Sequence, residues 1–434
     1  MKLTVAPALQ RFALPPLRAS AILLGFSVPI SVALDNVLLA LVLAWGVINI
    51  RAVWRAAVQH PVARAAGLLF LWLFIAMFYS VAPVREAAGA LMKYVDLALV
   101  PLFMLLLSGE VARRKVQYAF LAAMGLTLLL SFMVGLELLP VQHWMDRFST
   151  PQDPAIFHSR ITQSNMMAFA VFLALLNLRD AASREGRMAW GLFALLGTVN
   201  VLFMVQGRTG YIILTVLLGW FAWSTLARYM HRRGRAWGRR QGAAVALVLM
   251  CLAIVAYQAS PRLKNRIDRV VAEYGAWQSN RDKDTSIGQR LDYYYNTLQI
   301  MRQHPVFGVG TGGFSASFAQ QTKDNGALPT RNPHNEYMMI TVQAGAIGLA
   351  LLLYLFYTQW RCAALLDTPF AQDAARGLVL AYLANCVFNS ALLDHGDGLL
   401  FALMTAVLFA NLKPVLSLSK RPAPDSVEGA AGHG

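Results

Sequence analysis

The sequence predicts an all-α polytopic membrane protein with about twelve transmembrane helices, and its composition is the first reason. Hydrophobic residues make up 57% of the 434 residues and charged residues only 14%, with a mean hydropathy of +0.49. Soluble chains carry about 25% charged residues, so this balance indicates a chain that lies largely in lipid. The second reason is that apolar runs long enough to cross a hydrocarbon core of about 30 Å recur along almost the whole chain.

Twelve apolar runs can be placed along the chain, separated for the most part by short loops. A hydrophilic stretch at about residues 259–335 separates the ninth run from the tenth. We therefore predict nine transmembrane helices over residues 1–258, a helical insertion over 259–335, three transmembrane helices over 336–412, and a disordered tail over 413–434. The runs cover about residues 17–34, 36–50, 62–81, 88–108, 116–139, 162–178, 189–206, 209–227, 243–258, 336–358, 374–393 and 396–412.

The orientation follows from the basic residues of the loops. Lysines and arginines collect near the N-terminus, in alternate loops and after the last run, with the densest group at residues 228–240. Because cytoplasmic loops carry the excess of basic residues in membrane proteins, both termini are predicted to be cytoplasmic and the insertion periplasmic. The formal net charge of +16 is then explained by loops that face anionic membrane lipid, and nucleic-acid binding is not expected.

Three arginines fall on the opposite, periplasmic side, where the orientation rule does not explain them. Arg160 precedes the sixth run, Arg208 lies in the QGRTG turn between the seventh and eighth runs, and Arg290 lies in the insertion. Any one of them can be explained by contact with lipid phosphate. Together, planar guanidinium groups that are always charged favour the binding of an anion, and beside lipid they indicate a lipid pyrophosphate.

One helix of the insertion can be placed by its start signal. Ser286 and Gln289 have the spacing of a capping box, which puts Arg290 in the first turn, where the helix dipole favours an anion. Apolar residues then follow at helical spacing, at Leu291, Tyr295, Leu298 and Met301. The next segment, HPVFGVGTGGF at residues 304–314, lacks the ending of a P-loop, so turns with positive φ explain its glycines better than nucleotide binding does.

The tenth run opens with RNPHNEY, and its first residues fit a helix start. Asn332 can cap the helix, Pro333 suits the first helical position, and His334 then falls in the first turn. A helix N-terminus disfavours a protonated imidazole, so His334 is expected to be neutral and able to act as a general base; a histidine that only caps the helix is the alternative. Gly345 and Gly348 continue the His334 face and form either a groove for lipid or, more often, a close packing contact.

Other polar residues are less specific. Asp394, His395 and Asp397 crowd the turn between the last two runs, where they can pair with the arginines, orient His334 or bind a divalent cation. A supporting role is favoured, because no second acidic or histidine cluster on this side completes a metal site. Three cysteines at no metal-ligand spacing predict neither a disulfide nor a zinc site: Cys251, Cys362 and Cys386.

The spacing of His334-Asn335, nine residues, then Gly345-x-x-Gly348 resembles the signature of bacterial O-antigen ligases. The HPVFGVGTGGF and QGRTG segments resemble the same superfamily of ligases and polymerases, and the resemblance covers about residues 20–411. O-antigen polymerases and protein O-oligosaccharyltransferases share parts of this pattern. The oligosaccharyltransferases usually carry an additional C-terminal region, and since this chain ends soon after its twelfth run, a ligase is expected.

The resemblance implies a GT-C-like fold and an inverting, metal-independent glycosyltransferase that needs no cofactor. The implied donor is a glycan on undecaprenyl pyrophosphate, and the implied acceptor is a sugar hydroxyl of lipid A-core, at the periplasmic face of a Gram-negative inner membrane. His334 and Arg290 would be the catalytic residues, with His334 deprotonating or orienting the acceptor hydroxyl, while Arg160, Arg208 and Arg290 would bind the pyrophosphate. A polymerase or an oligosaccharyltransferase would use the same donor; a secondary transporter is less favoured, because no internal repeat is evident.

Overall fold

The structure of the protein is a computed structural model that describes residues 7–234, 286–323 and 327–412, with the single positions 268, 272, 274 and 275. Within these residues the chain is helical, and they contain no β-strand, only an isolated antiparallel bridge between Thr150 and Asp153. The predicted all-α class is therefore confirmed for this part of the chain. The predicted ninth span, most of the insertion before residue 286 and the predicted tail lie outside the described residues.

Fifteen α-helices are numbered here over the described residues, and a π-helical turn at Asn200–Met204 extends the ninth. Ten precede the insertion: α1 (Pro7–Ser27), α2 (Val32–Ile48), α3 (Ile50–Gln59), α4 (Pro61–Met77), α5 (Val84–Met92), α6 (Val95–Leu106), α7 (Glu110–Gly135), α8 (Arg160–Asp180), α9 (Arg184–Val199) and α10 (Arg208–Arg232). Five follow: α11 (Ser286–Gln303), α12 (Phe314–Gln321), α13 (Glu336–Ala363), α14 (Pro369–Phe388) and α15 (His395–Phe409).

Every predicted span except the ninth coincides with a helix or a pair of consecutive helices. By length and apolar character alone, six helical segments of the described chain can cross a membrane, or seven if α2 and α3, which meet at 90°, form one bent span. Three further apolar helices are shorter: the Leu17–Ser27 part of α1, α4 and α15. The chain is thus a membrane protein with several apolar helices, while the count of about twelve spans stays a prediction.

Helix α8 lies at the centre of the bundle. Its side chains are buried on all faces from Thr162 to Ala174, as expected for a helix that is surrounded by other helices rather than by lipid on one side. It packs against α9, α10 and α14. This central position matters for function because the two ends of α8 reach two separate clusters of arginines, described below.

Helix α11 was predicted from its start signal and is present, with Arg290 as its fifth residue. The predicted apolar face is only partly the buried one, because Tyr295 and Leu298 are exposed. The buried contact is instead made by Ile300, which packs on α12 and α13 in a small apolar cluster with Val309, Phe314, Phe318, Met339 and Val342. Helical spacing identified the helix, but its partners decide which face is buried.

Helix α13 is broken at Gly345, whose φ of 66° and ψ of −167° leave the helical region. The loop formed by residues 304–313 fills the break with its own backbone. The N–H of Val309 donates to the carbonyl of Val342 at 2.8 Å, and the N–H of Ala346 donates to the carbonyl of Pro305 at 2.9 Å. Backbone groups that the break frees are therefore satisfied by the loop, as burial requires.

Glycines make this insertion of the loop possible. Gly308, Gly310 and Gly312 have φ of 72°, 87° and 82°, which confirms the interpretation of HPVFGVGTGGF as a set of turns with positive φ. Gly345 faces the carbonyl group of Val306, where any Cβ would collide. Gly345 is therefore in close packing contact, as favoured from the sequence, but its partner is the loop and not another helix, and the break at Gly345 interrupts the predicted stripe. The alternative of an open groove for lipid at Gly345 is wrong, because the loop occupies that place.

Replacing Gly345 by alanine is expected to lower the free energy of unfolding by about 2 kcal/mol or more, since alanine must adopt positive φ and meet the Val306 carbonyl. Gly67→Ala is the matched control, because Gly67 lies within α4 with open space around its Cα, and alanine there is expected to be neutral or to stabilise by up to about 1 kcal/mol. Thermal unfolding of both variants in detergent measures the difference. Equal melting temperatures for the two would contradict this account of the break.

Candidate functional site

Arg160 and Arg208 are the first residues of α8 and α10, and the two helices begin side by side. Glycine allows this approach: a Cβ on Gly207 would lie 2.5 Å from the carbonyl oxygen of Arg160, and a Cβ on Gly210 would lie 2.5 Å from the Cβ of Ser164. Close approach through small residues is the usual way in which helices pack in membranes. Both arginines therefore lie at the same end of the bundle, as the loop pattern predicted.

Arg160 is partly engaged by a neighbouring carboxylate. Its Nη1 lies 3.2 Å from the Oδ2 of the buried Asp153, while the guanidinium remains half exposed. The other oxygen of Asp153 accepts the backbone N–H of Gln206 at 2.8 Å. Asp153, which was not identified from the sequence, thus ties the start of α8 to the turn that carries Arg208. Of the three predicted arginines, Arg160 is the one whose charge is already compensated.

Arg208 lies close enough to Arg290 for its charge to act on that guanidinium. Burial lowers the pKa of the Arg290 guanidinium, the adjacent Tyr294 raises it, and the positive charge of Arg208 lowers it further. A guanidinium remains protonated even so, because its ordinary pKa is above about 12. Neither arginine forms an ion pair with any carboxylate of the described chain. Two nearby positive charges that no carboxylate of the described residues balances favour the binding of an anionic ligand.

His334 does not lie in the first turn of α13, and this part of the helix-start prediction is wrong. The residue that caps the helix is Asn335, whose side chain accepts the N–H of Met338 at 3.0 Å, and the helix begins at Glu336. His334 precedes the cap in a left-handed turn with φ of 56°. Asn332 binds this turn instead of capping the helix, because its Oδ1 accepts the N–H of His334 at 2.8 Å. Two asparagines three residues apart offered two possible caps, and the second one forms.

The imidazole of His334 is nevertheless kept neutral. Partial burial lowers its pKa below the ordinary 6.5, and the positive charge of Arg290 lowers it further. The ring stacks on Tyr293, one turn of α11 beyond Arg290, with centroids 6.5 Å apart. The expected protonation state agrees with the structure, but its causes are burial and Arg290 rather than the helix N-terminus. A neutral imidazole therefore lies near Arg290.

The C-terminal end of α14 and the residues that follow it hold these parts together. Asn335 donates through Nδ2 to the carbonyl of Val387 at 2.9 Å, and the hydroxyl of Ser390 donates to Asn332 Oδ1 at 2.7 Å. Asn389 donates through Nδ2 to the hydroxyl of Thr209, the neighbour of Arg208, at 2.9 Å. Residues 387–390 therefore connect the turn of His334 to the first turn of α10.

Glu336 supports the same region and was not identified from the sequence. It is fully buried, and its carboxylate accepts the hydroxyl of Tyr94 at 2.9 Å and the backbone N–H of Leu392 at 2.9 Å. A buried carboxylate needs such partners because burial without hydrogen bonds is costly. The only sequence signal for Glu336 was its position directly after His334-Asn335, at the start of an apolar run. Glu336 fixes the start of α13 to α6 and to the segment before α15.

Asp394, His395 and Asp397 take structural positions. Asp394 caps α15, accepting the N–H groups of Gly396 and Asp397, and Asp397 is buried against the amides of Asn165 and Asn385. His395 lies 3.7 Å from the buried Asp35. Over the described ranges, none of the three forms an ion pair with Arg160, Arg208 or Arg290, and no group of three or more histidine, cysteine, aspartate or glutamate side chains is placed to hold a metal ion.

Comparison with known proteins shows that part of the chain matches a known family. A model of the family described as O-antigen ligase matches residues 191–353, a range that contains Arg208, Arg290 and His334 but not Arg160. Over 118 residues the chain is also 23% identical to an uncharacterized protein of Haemophilus influenzae; that alignment covers 26% of this chain and 30% of the relative. The chain thus matches less than a third of the relative's length.

Proposed function

We propose, from the match of residues 191–353 to the family described as O-antigen ligase, that this chain is a glycosyltransferase acting as an O-antigen ligase. Its donor is a glycan on undecaprenyl pyrophosphate, and its acceptor is a sugar hydroxyl of lipid A-core at the periplasmic face of the inner membrane. The observation that carries the proposal is that Arg208 and Arg290, which form no ion pair within the described residues, lie near each other, while His334 lies near Arg290 and is kept neutral by burial and by that charge.

The chemistry assigned to each group follows from its charge. His334 takes the proton of the acceptor hydroxyl as that oxygen bonds to the anomeric carbon of the donor. The bond from the same carbon to the pyrophosphate breaks, and the electron pair leaves with the phosphate oxygen. Arg208 and Arg290 stabilise the negative charge that develops there, and attack opposite the leaving group inverts the anomeric configuration. Arg160, already paired with Asp153, contributes at the edge of the site.

Reconstitution distinguishes this reaction from its relatives. Purified protein is supplied with undecaprenyl-pyrophosphate glycan and lipid A-core, and the products are separated by size. Lipid A-core carrying the glycan supports a ligase. A ladder of lengthened lipid-linked glycan would identify a polymerase, glycan on added protein would identify an oligosaccharyltransferase, and no transfer in any arm would overturn the assignment.

The pH dependence of transfer reports on His334. Because its pKa lies below 6.5, the imidazole is neutral above that value and becomes protonated, and inactive as a base, as the pH falls through its pKa. We expect kcat/KM to fall as the pH decreases on the acid side, with a midpoint below 6.5. Arg290→Gln removes the positive charge beside the ring and is expected to move this midpoint upward, whatever its effect on the rate. A wild-type midpoint above 6.5 would contradict the assignment.

Metal independence is a separate expectation. The positive charge needed by the leaving pyrophosphate comes from guanidinium groups in this proposal, so transfer should be unchanged by EDTA. Activity that disappears with EDTA and returns with magnesium or manganese would show that a cation shares this role.

A further inference from the structure

A second cluster of arginines lies at the opposite ends of α8 and α10 from the candidate site. Arg179 is in the last turn of α8, and Arg228 is near the end of α10. The nineteen residues from Arg160 to Arg179 correspond to about 28 Å of helix, so this cluster is remote from His334. Arg376, in the second turn of α14, completes it. The loop pattern predicts this end of the bundle to be cytoplasmic.

The carboxylates of the cluster are already occupied. Asp373, almost fully buried, accepts Nη1 of Arg179 and Nη2 of Arg228 on the same oxygen, each at 2.7 Å. The Nε of Arg179 donates to Oδ1 of Asp180 at 2.9 Å. Three arginines therefore share two carboxylates, and the positive charge of Arg376 is the one left over.

Arg376 has aromatic neighbours but no anionic one. Its guanidinium carbon lies 5.4 Å from the ring centre of Trp360 and 5.8 Å from that of Trp220, distances at which a cation is attracted to the ring. Across the described part of the chain no carboxylate lies within ion-pair distance of it. It is the third residue of the predicted span 374–393, close to the predicted membrane interface, where basic side chains can reach lipid headgroups.

The cluster also holds hydrogen-bond donors without acceptors. Among the residues that the structure describes, four buried nitrogens of this cluster have no hydrogen-bond partner: Nη2 of Arg179, Nε of Arg228, Nε of Arg376 and Nε1 of Trp220. Buried donors are nearly always satisfied in folded proteins, so this group calls for a ligand that supplies several acceptor oxygens. The unmatched positive charge requires that ligand to be an anion. A phosphate group meets both conditions.

We propose that the cytoplasmic ends of α8, α10, α13 and α14 form a binding site for the phosphate of an anionic glycerophospholipid. Arg376 and Arg228 contact the phosphate oxygens, and Trp220 and Trp360 flank the headgroup, which suits the amphipathic tryptophan ring at a membrane interface. A lipid is the favoured source because the predicted cytoplasmic leaflet is rich in anionic lipids and basic pockets between transmembrane helices bind their headgroups. The site is independent of the proposed transfer reaction.

Native mass spectrometry of the purified full-length protein tests the site. The probes are phosphatidylglycerol, phosphatidylcholine and inorganic phosphate. Arg376→Met keeps the bulk of the side chain and removes its charge, and Arg187→Met removes an exposed arginine of α9 on the same predicted side. We expect the preference for phosphatidylglycerol over phosphatidylcholine to fall by about tenfold in Arg376→Met, and to change by less than about twofold in Arg187→Met.

Three results would overturn the proposal. One is an unchanged lipid preference in Arg376→Met. Another is an equal loss in Arg187→Met, which would indicate attraction by net charge alone. The third is displacement of phosphatidylglycerol by inorganic phosphate at about millimolar concentration, which would identify a site for a free anion. If Arg376→Met does not fold, Trp220→Phe replaces it, since phenylalanine keeps an aromatic ring and lacks the N–H; an unchanged preference in that variant would also overturn the site.

Discussion

Replacing His334 by glutamine is expected to reduce glycan transfer by about 10²–10⁴-fold, the usual contribution of a general base, while the protein still inserts and binds the lipid-linked pyrophosphate. Glutamine can make hydrogen bonds, so a histidine with only a structural role would tolerate it. The neutral imidazole beside Arg290 is the only part of the site assigned to proton removal. Transfer and donor binding are measured separately, because only the first should fall.

The backbone at His334 calls for a second variant. Its φ of 56° lies in the left-handed region, where asparagine is several-fold enriched among non-glycine residues and glutamine is not. His334→Asn therefore keeps the turn while removing the base. His304→Gln, on an exposed side chain between α11 and the glycine-rich loop, is the control for the chemical change. Near-normal transfer by folded His334→Asn would rule out the base role.

Arg208→Ala and Arg290→Ala are each expected to lower transfer by about 10²–10³-fold, the loss seen when one preorganised donor to a developing negative charge is removed. Lysine should restore little of it, because an ammonium group cannot make the same planar, bidentate contact with phosphate. The two guanidinium groups repel each other in the unliganded site, so removal of either is not expected to impair folding. Arg160→Ala should have a smaller effect, since Asp153 already shares that charge.

Arg302→Ala is the control for the loss of a positive charge from the same helix, because Arg302 lies exposed in the last turn of α11. Donor binding and transfer are measured on the whole set in one membrane preparation. Wild-type transfer by lysine at both 208 and 290 would mean that charge alone is sufficient and that chelation by guanidinium groups is the wrong picture.

The parts of this protein that depend on local sequence were predictable. Apolar runs predicted most of the helices, and a capping pattern with helical spacing predicted α11. The spacing of the glycines predicted the turns before α12, because glycine adopts a positive φ readily wherever it lies in the chain. The alternation of basic loops was enough to put Arg160 and Arg208 at one end of the bundle.

The parts that depend on distant residues were not predictable. Tyr94 and Glu336 are 242 residues apart, and nothing near either residue indicates the other. The engagement of Arg160 by Asp153 depends in the same way on how a loop folds back. The position of His334 relative to its helix was wrong by one turn, because Asn332 and Asn335 are equally good caps and only the contacts of Asn335 with Val387 and Met338 decide between them.

The loop inserted at Gly345 fixes the C-terminal end of α11, so a small tilt of this helix produces a larger displacement at its other end. Its C-terminal end at Gln303 runs directly into backbone that is fixed inside α13, which makes that end the pivot. Arg290 is thirteen residues away, about 20 Å along the helix, where the hydroxyl of Tyr294 lies 3.4 Å from the carbonyls of His334 and Val387. A tilt of about 5° at the pivot moves Arg290 by nearly 2 Å, about the difference between holding a phosphate and releasing it.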